Sequence, residues 1–143
     1  MHLNGAAREA IENRRLVSDG AVQDYRDQGE LSTWLTMTLV RLGRTAEAAQ
    51  TITPVVKFQR SLATRNHGDQ WQPYELANAL YAQALTDPKQ APALLREATS
   101  LFDTLPASMR NLHDVRQWRT RIHQAQAKSV AQNEPLQALR SGG

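Results

Sequence analysis

One stretch of the chain, residues 31–62, most constrains its fold, because it carries two apolar stripes of helical period on either side of a glycine. In the first segment leucines recur at steps of four, four and three, the spacing of one face of an α-helix. The second segment has a stripe of the same kind. The stripes consist of Leu31, Leu35, Leu39 and Leu42 in the first segment and of Ala48, Ile52, Val55 and Leu62 in the second.

Gly43 separates the two stripes and predicts a tight turn. A glycine just past the last periodic residue can adopt the left-handed conformation that ends a helix. Glu47 follows in what would be the first turn of the next helix, where a negative charge is favourable. The stretch is therefore predicted to form an antiparallel helical hairpin. A single hairpin cannot bury both stripes, so the rest of the chain must supply neighbouring helices.

The remaining sequence also predicts helices and no strands. Ala, Leu, Gln, Arg and Glu are plentiful, whereas Phe and Tyr are few. Pro54 predicts a kink in the second helix of the hairpin, and Gly29 is expected to close the helix before it. We expect the helix over residues 73–86 to be the most buried element. Further helices are predicted over residues 4–17, 21–28, 73–86, 91–105 and 107–131, with a flexible tail over 132–143.

Charge and composition narrow the classes of partner. The net charge of +3 is too small to indicate nucleic acid. A basic face on the last helix, with Trp118 between arginines, is better explained as the solvated side of a capping helix. No stretch approaches the length of a membrane span. The absence of Cys fits a cytoplasmic protein, which is our expectation, although a periplasmic one stays open.

The sequence shows no grouping of residues that predicts catalysis. The four histidines lack metal-ligand spacing, so we predict no metal. His67 and Asp69 lie in a segment with loop composition, and no nucleophile elbow accompanies them. The glycines are dispersed and form no phosphate-binding loop. We therefore predict a non-enzymatic protein without a cofactor or a small-molecule substrate.

Two parts of the chain resemble the tetratricopeptide repeat family. In the first, Gly43 is followed by Glu47 and Ala48 and then by a large apolar residue, Ile52, which is the order at that family's inner turn. In the second, residues 76–81 are similar to the first helix of a repeat, and residues 97–102 are similar to the second helix. A third, weaker echo at residues 5–10 repeats the spacing from Gly43 to Ala48. The spacings of 38 residues from Gly5 to Gly43 and of 50 residues from Glu47 to Glu97 depart from the family's period of about 34.

This resemblance implies a right-handed α-solenoid of antiparallel hairpins, with six or seven helices, over residues 1–131 and with residues 107–131 as its cap. It further implies that the first helices of the hairpins line a concave groove that binds a peptide or a partner protein. Two alternatives stay open: a helical regulatory or sensory region of a larger bacterial signalling enzyme such as a kinase, and self-association through residues 6–17. The groove residues implied are Thr33, Met37, Arg41, Tyr74, Asn78 and Tyr81.

Overall fold

The computed structural model of the chain describes residues 24–65 and 69–141, with side chains up to residue 132. Every regular element in these ranges is a helix, which confirms the all-α prediction. None of the described helices is both long and apolar enough to cross a membrane. The predicted helix over residues 4–17 lies outside the described residues. The helices are α1 (residues 24–41), α2 (Thr45–Arg65), α3 (Gln72–Thr86), α4 (Ala91–Asp103), α5 (Ala107–Arg110) and α6 (His113–Ser141).

The turn between α1 and α2 is formed as the sequence predicts. Gly43 has a φ of 78°, in the left-handed region. Its N–H donates to the carbonyl of Val40 at 3.0 Å, and the N–H of Arg44 donates to that of Leu39 at 2.9 Å. These two bonds satisfy carbonyls that a helix end would otherwise leave without partners. The left-handed conformation of Gly43 therefore makes the tight turn of the α1–α2 hairpin possible.

The expectation that Gly29 closes a helix is wrong, because α1 runs through it without a break. Gly29 is buried, and its φ is not positive. A Cβ at this position would lie 3.4 Å from Val55 Cγ1, which is ordinary van der Waals contact, so α1 packs beside α2 here. Gly29 is therefore an interior residue of α1 on its side toward α2 and does not end the helix.

The leucine stripe of α1 also does not lie where the sequence predicts. Leu39 is buried, but Leu31, Leu35 and Leu42 are 69%, 50% and 65% exposed. The other buried residues of α1 are Gly29, Thr33, Thr36 and Met37. The hydroxyls of Thr33 and Thr36 donate to backbone carbonyls one turn earlier, at 2.8 and 2.7 Å, so burying them leaves no hydroxyl donor unsatisfied.

The buried stripe of α2 continues through Pro54, and the helix does not end there. Helix α3 is the most buried of the described helices, as expected. It packs against α2 on one side and α4 on the other, and α6 packs on α4. Its middle is buried on nearly every side, from Leu76 to Ala82. The largest fully buried core residues come from α2, α3, α4 and α6 and include Ile52, Leu80, Leu95, Phe102 and Ile122.

The C-terminal segment is not the single helix over residues 107–131 that the sequence predicts. A short helix, α5, ends at Arg110, and the N–H of Leu112 bonds to the carbonyl of Met109 three residues earlier, which interrupts the α-helical ladder. Helix α6 begins at His113 and extends past residue 131 to Ser141. Val115, Trp118 and Ile122 are buried as predicted, whereas Leu112 on the interruption is 45% exposed.

Candidate functional site

A cavity of about 430 Å³ lies where α1, α3 and the beginning of α6 meet. Two residues of α2 form part of its wall. Its lining mixes aromatic rings, charged groups and amides, which is the mixture typical of ligand sites. The lining residues are Arg26, Gly29, Glu30, Thr33, Trp34, Val55, Gln59, Trp71, Tyr74, Glu75, Asn78, Leu112, His113, Asp114, Val115 and Trp118.

Small residues on α1 allow a cavity at this place. Gly29 and Thr33 are one helical turn apart and both line the cavity. They are buried, and the Thr33 hydroxyl donates to the Gly29 carbonyl at 2.8 Å. Leucines in these two positions would extend further from the helix. The shape of the cavity therefore depends on the small residues of α1.

Arg26 ties the three elements around one end of the cavity together. Its Nε and Nη2 donate to the two carboxylate oxygens of Glu75 at 2.9 and 3.0 Å. Its Nη1 donates to Asp69, whose other oxygen accepts the backbone N–H of Trp71 at 2.9 Å. The guanidinium thus joins α1 to α3 and to the segment just before it. A bidentate pair of this kind has defined geometry as well as charge.

Two glutamines continue this arrangement into α2. Gln59 is buried, and its Nε2 donates to Glu75 Oε2 at 3.3 Å. Gln72, also buried, donates to the backbone carbonyl of Gln59 at 2.7 Å. We call the set of Arg26, Gln59, Asp69, Gln72 and Glu75 the polar clamp. It fixes α1, α2 and α3 at one end of the cavity.

The charge on Asp69 is stabilised within the polar clamp. Burial acts to raise the pKa of Asp69, but hydrogen bonds from Arg26 and from the backbone N–H of Trp71 outweigh it. The pKa of Asp69 therefore lies below its usual value. The carboxylate is ionised throughout the physiological pH range, and so the clamp is held by full charges.

Aromatic side chains line the cavity from three helices and from the residue before α3. Trp34 and Trp118 bring α1 and α6 together, with ring centroids 5.2 Å apart. Trp71 and Tyr74 meet edge to face at 5.9 Å. We call these four residues the aromatic wall. Trp118 is buried, whereas Trp34 and Trp71 are 43% and 40% exposed, so a ligand in the cavity can reach both.

Tyr74 and Asn78, one turn apart on α3, form the polar part of the wall. Burial raises the pKa of Tyr74, and the nearby charges of Asp114 and Glu30 raise it further. A hydrogen bond with the Asn78 side chain and the positive charge of Arg121 oppose this rise. The phenol is therefore neutral and able to donate. Asn78 is only 8% exposed, and its Oδ1 has no hydrogen-bond partner among the described residues. A buried acceptor without a partner costs about 1–3 kcal/mol, which a ligand donor would offset.

The six groove residues implied by the sequence have different positions. Thr33, Tyr74 and Asn78 come together in the lining of the cavity. Met37 and Tyr81 belong to the core, where the Tyr81 ring lies 5.8 Å from that of Trp118. Arg41, the last residue of α1, is exposed and outside the lining. Met37 and Tyr81 thus lie about one helical turn beyond the cavity, in the core, and Arg41 lies about two turns beyond Thr33, at the end of α1.

The charged residues of the cavity and two of its tryptophans were not predicted from the sequence. Arg26 and Glu75 are far apart in the chain, so spacing could not pair them. A signal for Trp34 and Trp71 was present: tryptophan is rare in this chain, and all three copies line the cavity. Trp118, which lies between the arginines of the last helix, is buried, and the Arg121 guanidinium covers its ring at 4.5 Å.

Within the described ranges no cluster of three or more His, Cys, Asp or Glu side chains is arranged to hold a metal ion. His113 and Asp114 are adjacent in the lining, at the first turn of α6. The side-chain hydroxyl groups in the lining are those of Thr33 and Tyr74.

Comparisons with protein families, with curated proteins and with solved structures found no match to this chain.

Proposed function

We propose that this chain is a non-enzymatic protein-interaction module that binds a peptide segment of a partner protein in the cavity between α1, α3 and α6. The proposal rests on which helices supply the residues that line the cavity. Most of it comes from α1, α3 and the beginning of α6, and α2 contributes only Val55 and Gln59. A cytoplasmic location belongs to the same proposal.

The order of helix packing supports a tetratricopeptide-like array. Helices α1 and α2 form one hairpin, α3 and α4 form the next, and α6 follows on α4. In such an array the first helices of successive hairpins face one concave side. Helices α1, α3 and α6 occupy these positions in the chain order, and they are the helices that share the cavity. A right-handed solenoid is therefore part of the proposal.

The chemistry of the lining supports a peptide as the occupant. A peptide backbone offers N–H donors, and Asn78 offers a buried oxygen without a partner among the described residues. Partly exposed indoles, Trp34 and Trp71, can cover apolar side chains. The polar clamp holds the surrounding helices in place before binding, which lowers the entropic cost of association.

The test is affinity capture of partner proteins by the purified wild-type chain and by two double variants, whose captured proteins are compared. Trp71→Ala with Asn78→Ala removes one indole and one amide from the cavity. Leu42→Ala with Gln50→Ala removes one apolar group and one amide from exposed positions outside the lining. We expect a partner that the wild type and the control retain and that the cavity variant loses. Equal capture by all three proteins would refute the cavity as the binding site.

A further inference from the structure

The cavity has the opposite charge from the chain as a whole. The chain carries +3, yet the lining contains three carboxylates, Glu30, Glu75 and Asp114, and one guanidinium, Arg26. Because Arg26 is bound by Glu75 and Asp69, it does not compensate the other two lining carboxylates. The site is therefore locally acidic on a basic protein.

Glu30 and Asp114 have no ion-pair partner within the described part of the chain. The two residues come from different helices and share the lining with Tyr74. Asp114 lies in the first turn of α6, where the helix dipole offsets part of its charge. Glu30 lies well inside α1 and has no such compensation. Burial is the main cause of the raised pKa of Tyr74; both negative charges add to the rise, and the positive charge of Arg121 opposes it.

The aromatic wall adds surfaces that attract cations. The face of an indole or phenol ring is negative, and a guanidinium or ammonium within about 6 Å is stabilised by it. The chain already contains one such contact: the Arg121 guanidinium lies 5.2 Å from the Trp34 ring and 4.5 Å from the Trp118 ring. Its charge disfavours a second cation at those two rings. The remaining rings of the wall are those of Trp71 and Tyr74.

We propose that the peptide enters this cavity with an arginine or lysine side chain, whose cationic group lies against Trp71 and Tyr74 and pairs with the carboxylates of Glu30 and Asp114. This inference rests on the proposed function and specifies its ligand. The partner segment is basic, and acidic segments are excluded by the same carboxylates. The binding is weakened by salt, since Glu30 and Asp114 are exposed to solvent.

The probe is a set of three capped hexapeptide pools with uncharged random flanks and a fixed central arginine, citrulline or glutamate. Citrulline keeps the size and planarity of arginine and removes its charge. The immobilised chain is incubated with the pools, and the retained peptides are measured by mass spectrometry. We expect arginine peptides to be retained about tenfold more than citrulline peptides, and glutamate peptides least.

Two double variants carry the same change in net charge. Glu30→Gln with Asp114→Asn changes the cavity, and Glu47→Gln with Asp103→Asn changes exposed helix positions outside its lining. We expect the first pair to reduce the preference for arginine to about twofold or less and the second to leave it unchanged. Circular dichroism spectra of both should match the wild type, because all four side chains are exposed.

The outcomes separate this inference from the proposed function. A preference for arginine that persists in the Glu30 and Asp114 variant would show that these two carboxylates do not bind the cationic group. Equal retention of arginine and citrulline peptides would show that the ligand need not be cationic. The Trp71→Ala variant then tests whether the cavity binds peptides at all. If Trp71→Ala reduces retention of all pools alike, the cavity still binds peptides. If no pool is retained, or none depends on Trp71, the peptide-binding function fails as well.

Discussion

Arg26 on α1 binds both carboxylate oxygens of Glu75 on α3, at 2.9 and 3.0 Å, across 49 positions of the chain. The Arg26 side chain is 15% exposed and that of Glu75 is 30% exposed, so the pair is partly withdrawn from water. Pairs of this kind are stronger than those on an open surface. The relationship fixes how α1 lies across α3 and hence the width of one end of the cavity.

Arg26→Ala is expected to lower the free energy of unfolding by about 1–3 kcal/mol, because it leaves Glu75 and Asp69 without their charged donor. Arg26→Lys should recover only part of the loss, since an ammonium cannot donate two parallel bonds. Chemical denaturation measures both. Arg44→Ala is the matched control: its exposed pair with Glu47 should contribute nothing measurable. Equal effects at Arg26 and Arg44 would contradict a structural role for the clamp.

The pH dependence of stability should reveal Asp69. Its pKa is lowered in the folded chain, so its stabilising contribution is complete above the unfolded value of about 3.9 and is lost as the pH falls through the folded value. Asp69→Asn should therefore unfold at a lower temperature than the wild type at pH 7, and the difference should shrink below about pH 4. Thermal unfolding across this range measures it. A difference that stays constant down to pH 2 would show that the carboxylate charge is not responsible.

The period of the sequence located the helices but did not decide which face of α1 is buried. Repeats of leucine at helical spacing predicted the buried stripe, and the structure exposes Leu31, Leu35 and Leu42. The buried residues of α1 include Met37, Gly29 and two threonines, whose hydroxyls are satisfied by the preceding turn. Hydrophobicity ranks leucine above threonine, so no local signal favours this face. The choice follows from how closely α1 can approach its neighbours, which is tertiary information.

For the candidate site, too, positions on a single helix could be predicted from the sequence, whereas contacts between helices could not. Thr33, Tyr74 and Asn78 were predicted because a family resemblance supplies positions on single helices. The polar clamp and the pairing of aromatic rings join residues from separate helices, and neither spacing nor composition indicates which ones meet. The core of α3 was predictable, since a helix that is apolar on most sides has to be buried.

Leu35→Ala and Leu39→Ala compare the two faces of α1 directly. Leu39 is buried, and its truncation should cost about 2–4 kcal/mol of unfolding free energy through lost burial and the cavity that remains. Leu35 is half exposed, and its truncation should cost less than about 1 kcal/mol. Denaturant midpoints of the two variants measure the difference. A larger loss of unfolding free energy for Leu35→Ala than for Leu39→Ala would indicate that the leucine stripe is buried.

Asn78→Ala should separate binding from stability. The variant removes a buried oxygen that lacks a partner among the described residues, which stabilises the fold, and it removes the hydrogen bond between the amide and Tyr74, which destabilises it, so the free energy of unfolding should change by less than about 1 kcal/mol. Helix content should stay the same, because alanine has the higher helix propensity. Retention of peptides by the cavity should fall. Retention equal to that of the wild type would remove Asn78 from the site, whereas unfolding of the variant would make Asn78 a structural residue.

Gly29→Ala should raise stability while it narrows the cavity. Gly29 lies inside α1 without a positive φ, so alanine adopts its conformation without strain and gains about 0.5–1 kcal/mol. The added Cβ would lie 3.4 Å from Val55 Cγ1, within ordinary packing distance, and it would project beside a residue that lines the cavity. Thermal unfolding and peptide retention, measured on the same preparation, should therefore move in opposite directions. Ser32→Ala, a change on the same helix outside the lining, is the control and should leave retention unaltered. If Gly29→Ala lowered stability, the contact with Val55 would be tighter than this packing allows, and the glycine would be required by the fold itself.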